Sequence, residues 1–542
     1  MKLVADLIVT NAKVYSMEVE GDHADSFAVK DGRILAVGSI DKIDELKGSN
    51  TAVYDADSKA VLPAFIESHA HPLDFAKKQL ELDLRPRITP NREAVIKAIK
   101  EEVAKKQKGE WIIGAGWDEN LMEGKRFVTM ADLDEIAPEH PVFLLRTCVH
   151  NAMVNTKAFE SSEIALDAND PEGGSFERDE SGTLTGYVME DAMSVFKTPT
   201  YSIEDTKRAW KIAEEIFLSW GIATINDMAT GKEEFKVYQQ LQKENRLRLN
   251  VGMWLWGRTQ MSRTGLQEEI TTLGIESGFG NEQLNVQGIK FMIDGSVGGK
   301  TAAVAEPFEG TANNYGIVYL KQSELNDRFK KAIQNNLRIS VHAIGERALE
   351  MALQAFEYAE IQKYPHIERH RIEHAILPTE DHLKRMQKLG IIAGSSIGFL
   401  YSIGDGYVNN LGHERVKRAF PHQKFKAYGI VAPGNSDLPV TEGNPFLGVY
   451  TAVTRTTSSG TKTDRTESLS VYDALCAYMV DAAYGNFDEH KRGTLTVGKK
   501  ADFMVVSHDP FVVQEEQLKD IQVIATYVEG VEQYRVGEEV KV

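Results

Sequence analysis

The sequence predicts an α/β protein: a (β/α)8 TIM barrel, a small β-sandwich domain built from both chain ends, and an inserted α+β subdomain. Three observations predict this architecture. Apolar strand-like segments alternate with helix-like segments through the middle of the chain. Short strand-like segments occupy both ends. About 150 residues separate the first two barrel strands, far more than a usual connection between a strand and its helix.

The two ends of the chain share one pattern, short strands joined by glycine-bearing turns. Near the N-terminus, Asp31-Gly32 between two alternating runs is typical of a hairpin turn. Near the C-terminus, residues 502–507 (DFMVVS) are followed by two further strand-like runs. We therefore predict that residues 1–60 and 490–542 build one β-sandwich domain together.

The barrel is predicted over residues 61–489, with the inserted subdomain at 73–202 lying over the barrel mouth. The predicted barrel strands are 61–69, 221–228, 248–256, 286–294, 338–344, 370–376, 390–397 and 429–436. Helix-like segments such as 203–219 and 346–362 lie between most of them. Active sites of such barrels lie at the C-terminal strand ends, so polar residues there are the first candidates for function.

The composition is that of an ordinary globular protein, with 42% apolar and 26% charged residues. The formal net charge of -18 repels phosphate backbones and argues against nucleic acid as a partner. Cys148 and Cys476 are the two cysteines, which excludes a disulfide framework and a multi-cysteine zinc site. The N-terminal apolar run is too interrupted for a signal peptide, and no apolar run is long enough to span a membrane. We expect a cytoplasmic protein without a membrane partner.

The most informative stretch is residues 61–72, VLPAFIESHAHP, an apolar run that ends in His69 and His71. Side chains alternate along a strand, so residues two apart project from the same face. Two imidazoles side by side at the end of a buried strand form half of a site for zinc or a similar ion. The same spacing also fits two surface histidines at a turn, because Pro72 follows at once.

Other ionisable side chains fall at the ends of later predicted strands: Lys290 and Asp294 on strand four, His342 on strand five, His374 on strand six and Asp437 after strand eight. Hydrophobic strands rarely carry a charged group unless it is paired or bound to metal. The alternatives are a structural lysine paired with Asp294, satisfied core histidines, and a turn-forming Asp437.

Two motif-like stretches are rejected. Residues 295–301 (GSVGGKT) resemble a phosphate-binding loop, but that loop requires glycine where Asp294 stands. His413 and Glu414 begin a metalloprotease-like motif, but its last position is Lys417 instead of histidine. We therefore predict neither nucleotide binding nor a metalloprotease helix.

The set of strand-end residues resembles the metal-dependent amidohydrolase superfamily. The surrounding motifs are similar to its amidohydrolase family 3 branch, the N-substituted formamide deformylase-like group. They cover nearly the whole chain: LPAFIESHAHP, GIKFMIDGSVGGKTAA, VHAIGERA, RIEHA, GNSDLPV and GTLTVGKKADFMVVSHDPF. The chain departs from the branch at Ala64 and Glu67, where glycine and aspartate are usual, and at 395–399 (SSIGF), which replaces a Gln-Pro motif. The change at 395–399 concerns substrate contacts; Ala64 and Glu67 are not expected to touch the metal.

The resemblance implies one or two divalent ions, zinc before others, held by His69, His71, Lys290, His342, His374 and Asp437. It also implies that Lys290 is carboxylated by carbon dioxide and that the resulting carbamate bridges two metals. The implied catalytic residues are Asp437 and His374. A bound ion lowers the pKa of water to about 7, and Asp437 takes the proton and passes it to the leaving nitrogen.

We therefore expect a metal-dependent hydrolase that cleaves a C–N bond of a small molecule, an amide or an N-substituted formamide-like compound. A deaminase or cyclic-amide hydrolase acting on a heterocycle is the alternative enzyme. A non-catalytic regulatory or binding protein on the same scaffold is the alternative of another class, although all six metal-site positions are present. The expected partner is a small-molecule substrate, and a homodimer is compatible with the sequence.

Further side chains are weaker candidates for contact with the substrate. These are Trp117, His150 and Asn151 in the insertion, Asp294 on strand four, and Trp254 and Trp256 on strand three. Ordinary packing and capping explain them equally well. If the aromatic residues line the barrel mouth, they favour a substrate with a hydrophobic N-substituent.

Overall fold

The computed structural model describes residues 3–119, 122–146, 151–171, 174–261 and 263–537. By its internal contacts the chain divides into two compact units, residues 1–75 with 211–542 and residues 76–210. The first unit holds the barrel and the strands from both chain ends, and the second holds a separate sheet with its own helices.

Short strands dominate both ends of the chain, and strands alternate with helices between residues 222 and 394. The strands are β1 (Leu7–Thr10), β2 (Lys13–Tyr15), β3 (His23–Ala24), β4 (Ser26–Lys30), β5 (Arg33–Gly38), β6 (Ala52–Asp55), β7 (Ala60–Pro63), β8 (Phe65–Ala70), β9 (Leu82–Asp83), β10 (Ile112–Trp117), β11 (Val142–Arg146), β12 (Asn151–Val154), β13 (Gly174–Arg178), β14 (Leu184–Glu190), β15 (Ile222–Thr230), β16 (Asn250–Trp256), β17 (Leu284–Met292), β18 (Ile339–Ala343), β19 (Arg371–His374), β20 (Ile392–Gly394), β21 (Phe503–Val506), β22 (Val523–Val528) and β23 (Val531–Arg535). The α-helices are α1 (Ile40–Asp44), α2 (Pro72–Lys78), α3 (Arg92–Val103), α4 (Met130–Ile136), α5 (Thr156–Ser161), α6 (Ile203–Ser219), α7 (Lys232–Lys243), α8 (Gln267–Leu273), α9 (Gln322–Gln334), α10 (Glu346–Tyr358), α11 (Glu380–Leu389), α12 (Ile397–Leu411), α13 (His413–Lys417), α14 (His422–Ala427), α15 (Pro445–Thr454), α16 (Val471–Tyr478) and α17 (Val480–Gly485). None of the helices in the described part of the chain is both long and apolar enough to cross a lipid bilayer.

Seven parallel strands form most of the barrel, in the order β8-β15-β16-β17-β18-β19-β20. The connecting helices are amphipathic: α9, for example, buries Leu325, Phe329 and Ile333 at four-residue spacing. The strands themselves are buried along almost their whole length, as expected for a parallel sheet covered by helices.

The segment 429–436 occupies the eighth position of the barrel but is not a regular strand. On one side, the backbone N–H of Ser395 donates to the Pro433 carbonyl (2.9 Å). On the other, the N–H of Asp437 donates to the His69 carbonyl (3.0 Å). Pro433 has no N–H, so one hydrogen bond of the ladder is absent at this residue. The predicted (β/α)8 architecture is confirmed, with an irregular extended segment in place of its eighth strand.

The apolar run 61–69, predicted as one strand, is divided between two sheets. β7 pairs with β2 and β21, whereas β8 pairs with β15 in the barrel. Ala64 lies between them, and its N–H donates to the Asp502 carbonyl (3.0 Å). Every residue of both strands is buried, and the run is apolar from Val61 to Ile66.

Strands from both chain ends pair in one sheet, β23-β22-β21-β7-β2-β3, and a second sheet has the order β5-β4-β1-β6. Apolar side chains of both sheets share one buried cluster. Within it, Phe503 stacks on Tyr527 at 4.3 Å and meets Phe27 edge-on at 5.1 Å. The turn between β4 and β5 has positive φ at both Asp31 (49°) and Gly32 (72°), as its sequence predicts.

Residues 76–210 build their own unit around the sheet β13-β14-β12-β11-β10-β9. Its core includes Ile112, Leu133 and Leu144, contributed by two strands and a helix. α4 begins with a capping box between Thr129 and Asp132. This unit therefore has an apolar core of its own.

Candidate metal centre

Three predicted site residues lie where the backbone leaves the strand conformation at the end of the barrel. β8 carries His69 one residue before its end, β19 ends at His374, and Asp437 follows the segment 429–436. His374 and Asp437 have φ values of 69° and 53°, a conformation that costs a non-glycine residue about 1–3 kcal/mol. The strained backbone brings their side chains to the same place as that of His69.

Five of the predicted site residues come together here. One ligand atom each of His69, His374 and Asp437 lies within 4.8 Å of the other two, and all three residues are buried. Oδ1 of Asp437 is 3.3 Å from Nε2 of His69 and 3.1 Å from Nε2 of His71. Oδ2 of Asp437 is 4.0 Å from Nε2 of His374. Nζ of Lys290 lies 3.5 Å from Nε2 of His69.

A buried ion pair fixes the ring of His69. Its Nδ1 is 2.7 Å from Oε2 of Glu373, and Arg371 donates to both oxygens of that carboxylate, at 2.6 and 3.0 Å. Burial alone would raise the pKa of Glu373, but Arg371 and His69 hold it well below its usual range. An ionised carboxylate only accepts hydrogen bonds, so Nδ1 of His69 carries the proton. Its Nε2 then presents a lone pair towards Asp437.

A chain of neutral hydrogen bonds fixes the ring of His374. The hydroxyl of Ser396 donates to Oδ1 of Asn435 (2.9 Å), so it accepts from Nδ1 of His374 (2.7 Å). Phe399, in the first turn of α12, stacks on the imidazole with ring centroids 5.3 Å apart. Nε2 of His374 is therefore also unprotonated.

The buried charges favour neutral histidines and an ionised carboxylate. Burial lowers the pKa of His69, and it lowers that of His374 well below its usual range. Burial alone would raise the pKa of Asp437, but His69 and His71 hold it well below its usual range. Burial also lowers the pKa of Lys290 to about 8. At neutral pH the centre thus offers the Nε2 lone pairs of His69 and His374 and the carboxylate of Asp437, beside the readily deprotonated Lys290.

These donors fit a divalent ion such as zinc. Oδ1 of Asp437 is buried and has no hydrogen-bond partner among the described residues, although the unprotonated Nε2 of His69 lies 3.3 Å away. An oxygen lone pair and an unprotonated nitrogen repel each other at this distance unless a cation lies between them. Two ligand atoms held about 2.0–2.1 Å from one tetrahedral ion are roughly 3.3–3.4 Å apart. The residues therefore match zinc in ligand type, and Asp437 with His69 also matches it in spacing.

His342 lies beside this group without joining it. Its ring centroid is 4.5 Å from that of His374, but its Nε2 is 3.0 Å from the carbonyl oxygen of Gly295. It is not one of the side chains whose ligand atoms lie within 4.8 Å of one another.

Asp294 joins two loops at the end of the barrel. It is fully buried, and its oxygens accept the backbone N–H groups of Ala303, Ile344 and Gly345 at 2.8–3.1 Å. Oδ1 of Asp294 also lies 3.4 Å from Nε2 of His342. These bonds connect the segment after β17 to the end of β18, and they use both oxygens of the predicted substrate contact.

Two of the weaker substrate-binding candidates lie in the unit 76–210. Trp117 is 2% exposed, stacks on Phe127 at 3.8 Å and donates to the Leu144 carbonyl, so it belongs to the core of this unit. Asn151 is half-buried at the start of β12. His150 lies outside the described residues.

The sequence analysis did not identify the side chains that orient the histidines. The pairing of Arg371 with Glu373 was predictable, because two opposite charges two residues apart in a buried strand share a face and must pair. For Glu67 the sequence analysis predicted only that it does not touch the metal. It accepts from the backbone and hydroxyl of Ser436, which joins β8 to the closing segment, and burial raises its pKa to about 8. Ser396 lies in the segment 395–399, which the sequence analysis related to substrate contacts and not to the orientation of a histidine.

The fold and this centre define a metal-dependent hydrolase of the barrel type. The amidohydrolase family matches residues 52–534, and the chain belongs to that family. Protein LONG AFTER FAR-RED 3 of Arabidopsis thaliana is 30% identical over 98% of this chain and 92% of its own length. The N-substituted formamide deformylase of Arthrobacter pascens is 24% identical over 98% and 99%, respectively. The crystal structure of an uncharacterized metal-dependent hydrolase from Pyrococcus furiosus has a TM-score of 0.76 and 27% identity, covering 93% of this chain and 99% of that one.

These comparisons confirm the resemblance found in the sequence. The match to the family extends over the barrel and over strands of both chain ends. The protein is an amidohydrolase, an enzyme that hydrolyses carbon–nitrogen bonds.

Proposed function

We propose that the protein hydrolyses an amide or N-substituted formamide bond of a small molecule with water activated at the candidate metal centre. The observation that carries the proposal is the convergence of His69, His71 and His374 on the ionised carboxylate of Asp437. The similarity to the formamide deformylase of Arthrobacter pascens over nearly the whole chain supports the substrate class.

The residues that would hold zinc are His69, His71, His374 and Asp437. A zinc ion in such a site lowers the pKa of a water molecule to about 7 and polarises the substrate carbonyl. Glu373 and Ser396 keep the lone pairs of two imidazoles directed at the site, because each engages an Nδ1–H.

Asp437 is proposed to move the proton. Its carboxylate accepts a proton from water while the water oxygen attacks the carbonyl carbon. As the C–N bond breaks, Asp437 delivers that proton to the leaving nitrogen. The products are a carboxylic acid, formic acid in the case of a formamide, and a free amine.

Lys290 is proposed to be carboxylated, which would add an anionic ligand for a second ion. Carbon dioxide reacts with the free amine, and burial, by lowering the pKa of Lys290 to about 8, increases the unprotonated share at neutral pH. The change replaces a cation 3.5 Å from Nε2 of His69 with a ligand oxygen. His342, beside His374, would complete the set of ligands.

The test is amine release from a panel of N-formyl and N-acyl amines by the zinc-loaded protein. Asp437→Asn preserves the size of the side chain and removes the proton acceptor, so turnover should fall by about 10²–10⁴-fold. Zinc content should fall much less, because the histidines remain. Asp41→Asn, at an exposed position of α1, is the matched control and should behave as the wild type.

Two outcomes would contradict the proposal. Unchanged turnover in Asp437→Asn would remove the proton-transfer role. Release of ammonia from heterocycles, with no hydrolysis of any amide, would establish the deaminase alternative instead.

A further inference from the structure

We propose that the indole N–H of Trp256 is a substrate-binding group that donates a hydrogen bond to an acceptor oxygen beside the metal centre. The identity of that oxygen, the carbonyl oxygen of an amide, rests on the proposed function. The position of the N–H donor is inferred only from strand register and side-chain alternation in the barrel.

Trp256 is the last residue of β16, at the C-terminal end of the barrel, where it pairs in register with Lys290 of β17. Paired residues of adjacent parallel strands project to the same face. Lys290 projects into the barrel, because its Nζ lies 3.5 Å from Nε2 of His69. Trp256 therefore projects into the barrel at the level of the candidate metal centre.

The next residue confirms this orientation. A Cβ on Gly257 would lie 2.5 Å from the ring of Phe291, which follows Lys290 and therefore points to the opposite face of β17. Side chains alternate along β16 as well, so Trp256 and Gly257 face opposite sides of the barrel wall.

The indole N–H of Trp256 has no acceptor among the described residues. Nε1 is buried and has no hydrogen-bond partner in the part of the chain that the structure describes. The residue as a whole is 4% exposed. Buried donors in native proteins nearly always have a partner, and an unpaired one at a functional site calls for an explanation. Because an indole N–H only donates, its partner must present a lone pair, as a carbonyl or carboxylate oxygen does.

Trp254 provides a contrast on the same face of the same strand. Its Nε1 is also buried without a partner among the described residues, but its ring lies against the guanidinium groups of Arg338 and Arg371, at 5.1 and 5.6 Å. It also packs over Gly288, two residues before Lys290. Trp254 is thus one layer deeper, among structural cations, and serves as the matched control.

The first experiment observes the donor directly and needs no known substrate. Zinc-loaded full-length protein with ¹⁵N-labelled indoles, which carries six tryptophans, is titrated with acetate and with formate as product-like oxygen acceptors. The Trp256 signal, identified by its absence in Trp256→Phe, should move downfield as the acid is added. The Trp254 signal, identified by its absence in Trp254→Phe, should stay in place.

The second experiment measures the effect on catalysis. Trp256→Phe retains an aromatic ring and removes the N–H, so kcat/KM should fall about tenfold, with zinc content unchanged. Trp256→His, which restores a ring N–H, should recover part of the loss. Trp254→Phe should affect kcat/KM less than Trp256→Phe does.

The outcomes separate this inference from the function on which it rests. A Trp256 signal that does not move up to the highest tolerated acid concentration overturns the inference, as does an equal response of Trp254. Unchanged kcat/KM in Trp256→Phe overturns it while leaving the hydrolase intact. A shifted Trp256 signal in a protein that hydrolyses no amide supports the donor site and refutes the proposed function.

Discussion

Gly394 leaves the space in which the Glu373 carboxylate holds His69, and filling that space tests the orienting role of Glu373. A Cβ on Gly394, the last residue of β20, would lie 2.0 Å from Oε2 of Glu373 and 3.1 Å from Nη2 of Arg371. Non-bonded atoms settle about 3.5 Å or more apart, so in Gly394→Ala the carboxylate must move by roughly 1.5 Å. Such a shift breaks the 2.7 Å bond to Nδ1 of His69.

The expected effect is mainly on metal affinity. Loss of the partner that orients a ligating histidine typically costs 10–100-fold in affinity, or about 1.4–2.7 kcal/mol. Overpacking of a buried site costs about 1–3 kcal/mol of unfolding free energy. We therefore expect the Gly394→Ala protein to fold, with lower stability, and to bind zinc at least tenfold more weakly than the wild type does.

The assay is a competition titration for zinc against a chromophoric chelator, with circular dichroism to confirm folding. Gly406→Ala is the matched control, because Gly406 lies in α12 and a Cβ there meets nothing within 4 Å. Its zinc affinity should equal that of the wild type. A folded Gly394→Ala protein with wild-type zinc affinity would refute the reasoning, because it would mean that the Glu373 contact does not position His69.

Two further predictions concern buried ionisable groups. Lys290→Ala should lower the number of divalent ions per chain measured by elemental analysis, and formate should restore part of the activity; full metal loading with full activity would exclude a bridging carbamate. His370 is buried, its Nδ1 accepts the N–H of Ile339 (3.0 Å), and burial lowers its pKa to about 3. In the unfolded chain His370 has a pKa of about 6.5, so below that pH the unfolded chain binds a proton that the folded chain does not. The free energy of unfolding therefore falls as the pH drops from about 6.5 towards 3, and the loss is about 2 kcal/mol at about pH 5. His370→Gln should reduce the fall in unfolding free energy between about pH 7.5 and pH 5 by that amount, and an unchanged pH dependence would contradict the assignment.

The barrel and much of the site were predictable because apolar runs identify the strands and strand ends identify the site. His69, His374 and Asp437 each follow such a run, and an ionisable group there must be paired or bound. The residues at which individual strands begin and end were less predictable. Residues 61–66 are apolar on both faces, so nothing in them marks Ala64 as the point where the chain passes from one sheet to another. The segment 429–436 was predicted as a regular strand, although Pro433 has no N–H and leaves one hydrogen bond of the ladder unformed.

The alternation rule fails at β19, so alternation alone does not predict that Glu373 and His374 serve one centre. Alternation places Arg371 and Glu373 on one face of the strand and His374 on the other. In the structure both Glu373 and His374 serve the same centre, because φ is 69° at His374 and 44° at Ala375 and the chain turns as the strand ends. No preference of histidine or alanine predicts this conformation, which is unfavourable for both. Surrounding contacts must therefore hold it, among them the bond from His374 to Ser396. Local sequence rules thus fail at a residue where the strain is useful, since an ordinary strand would direct His374 away from Asp437.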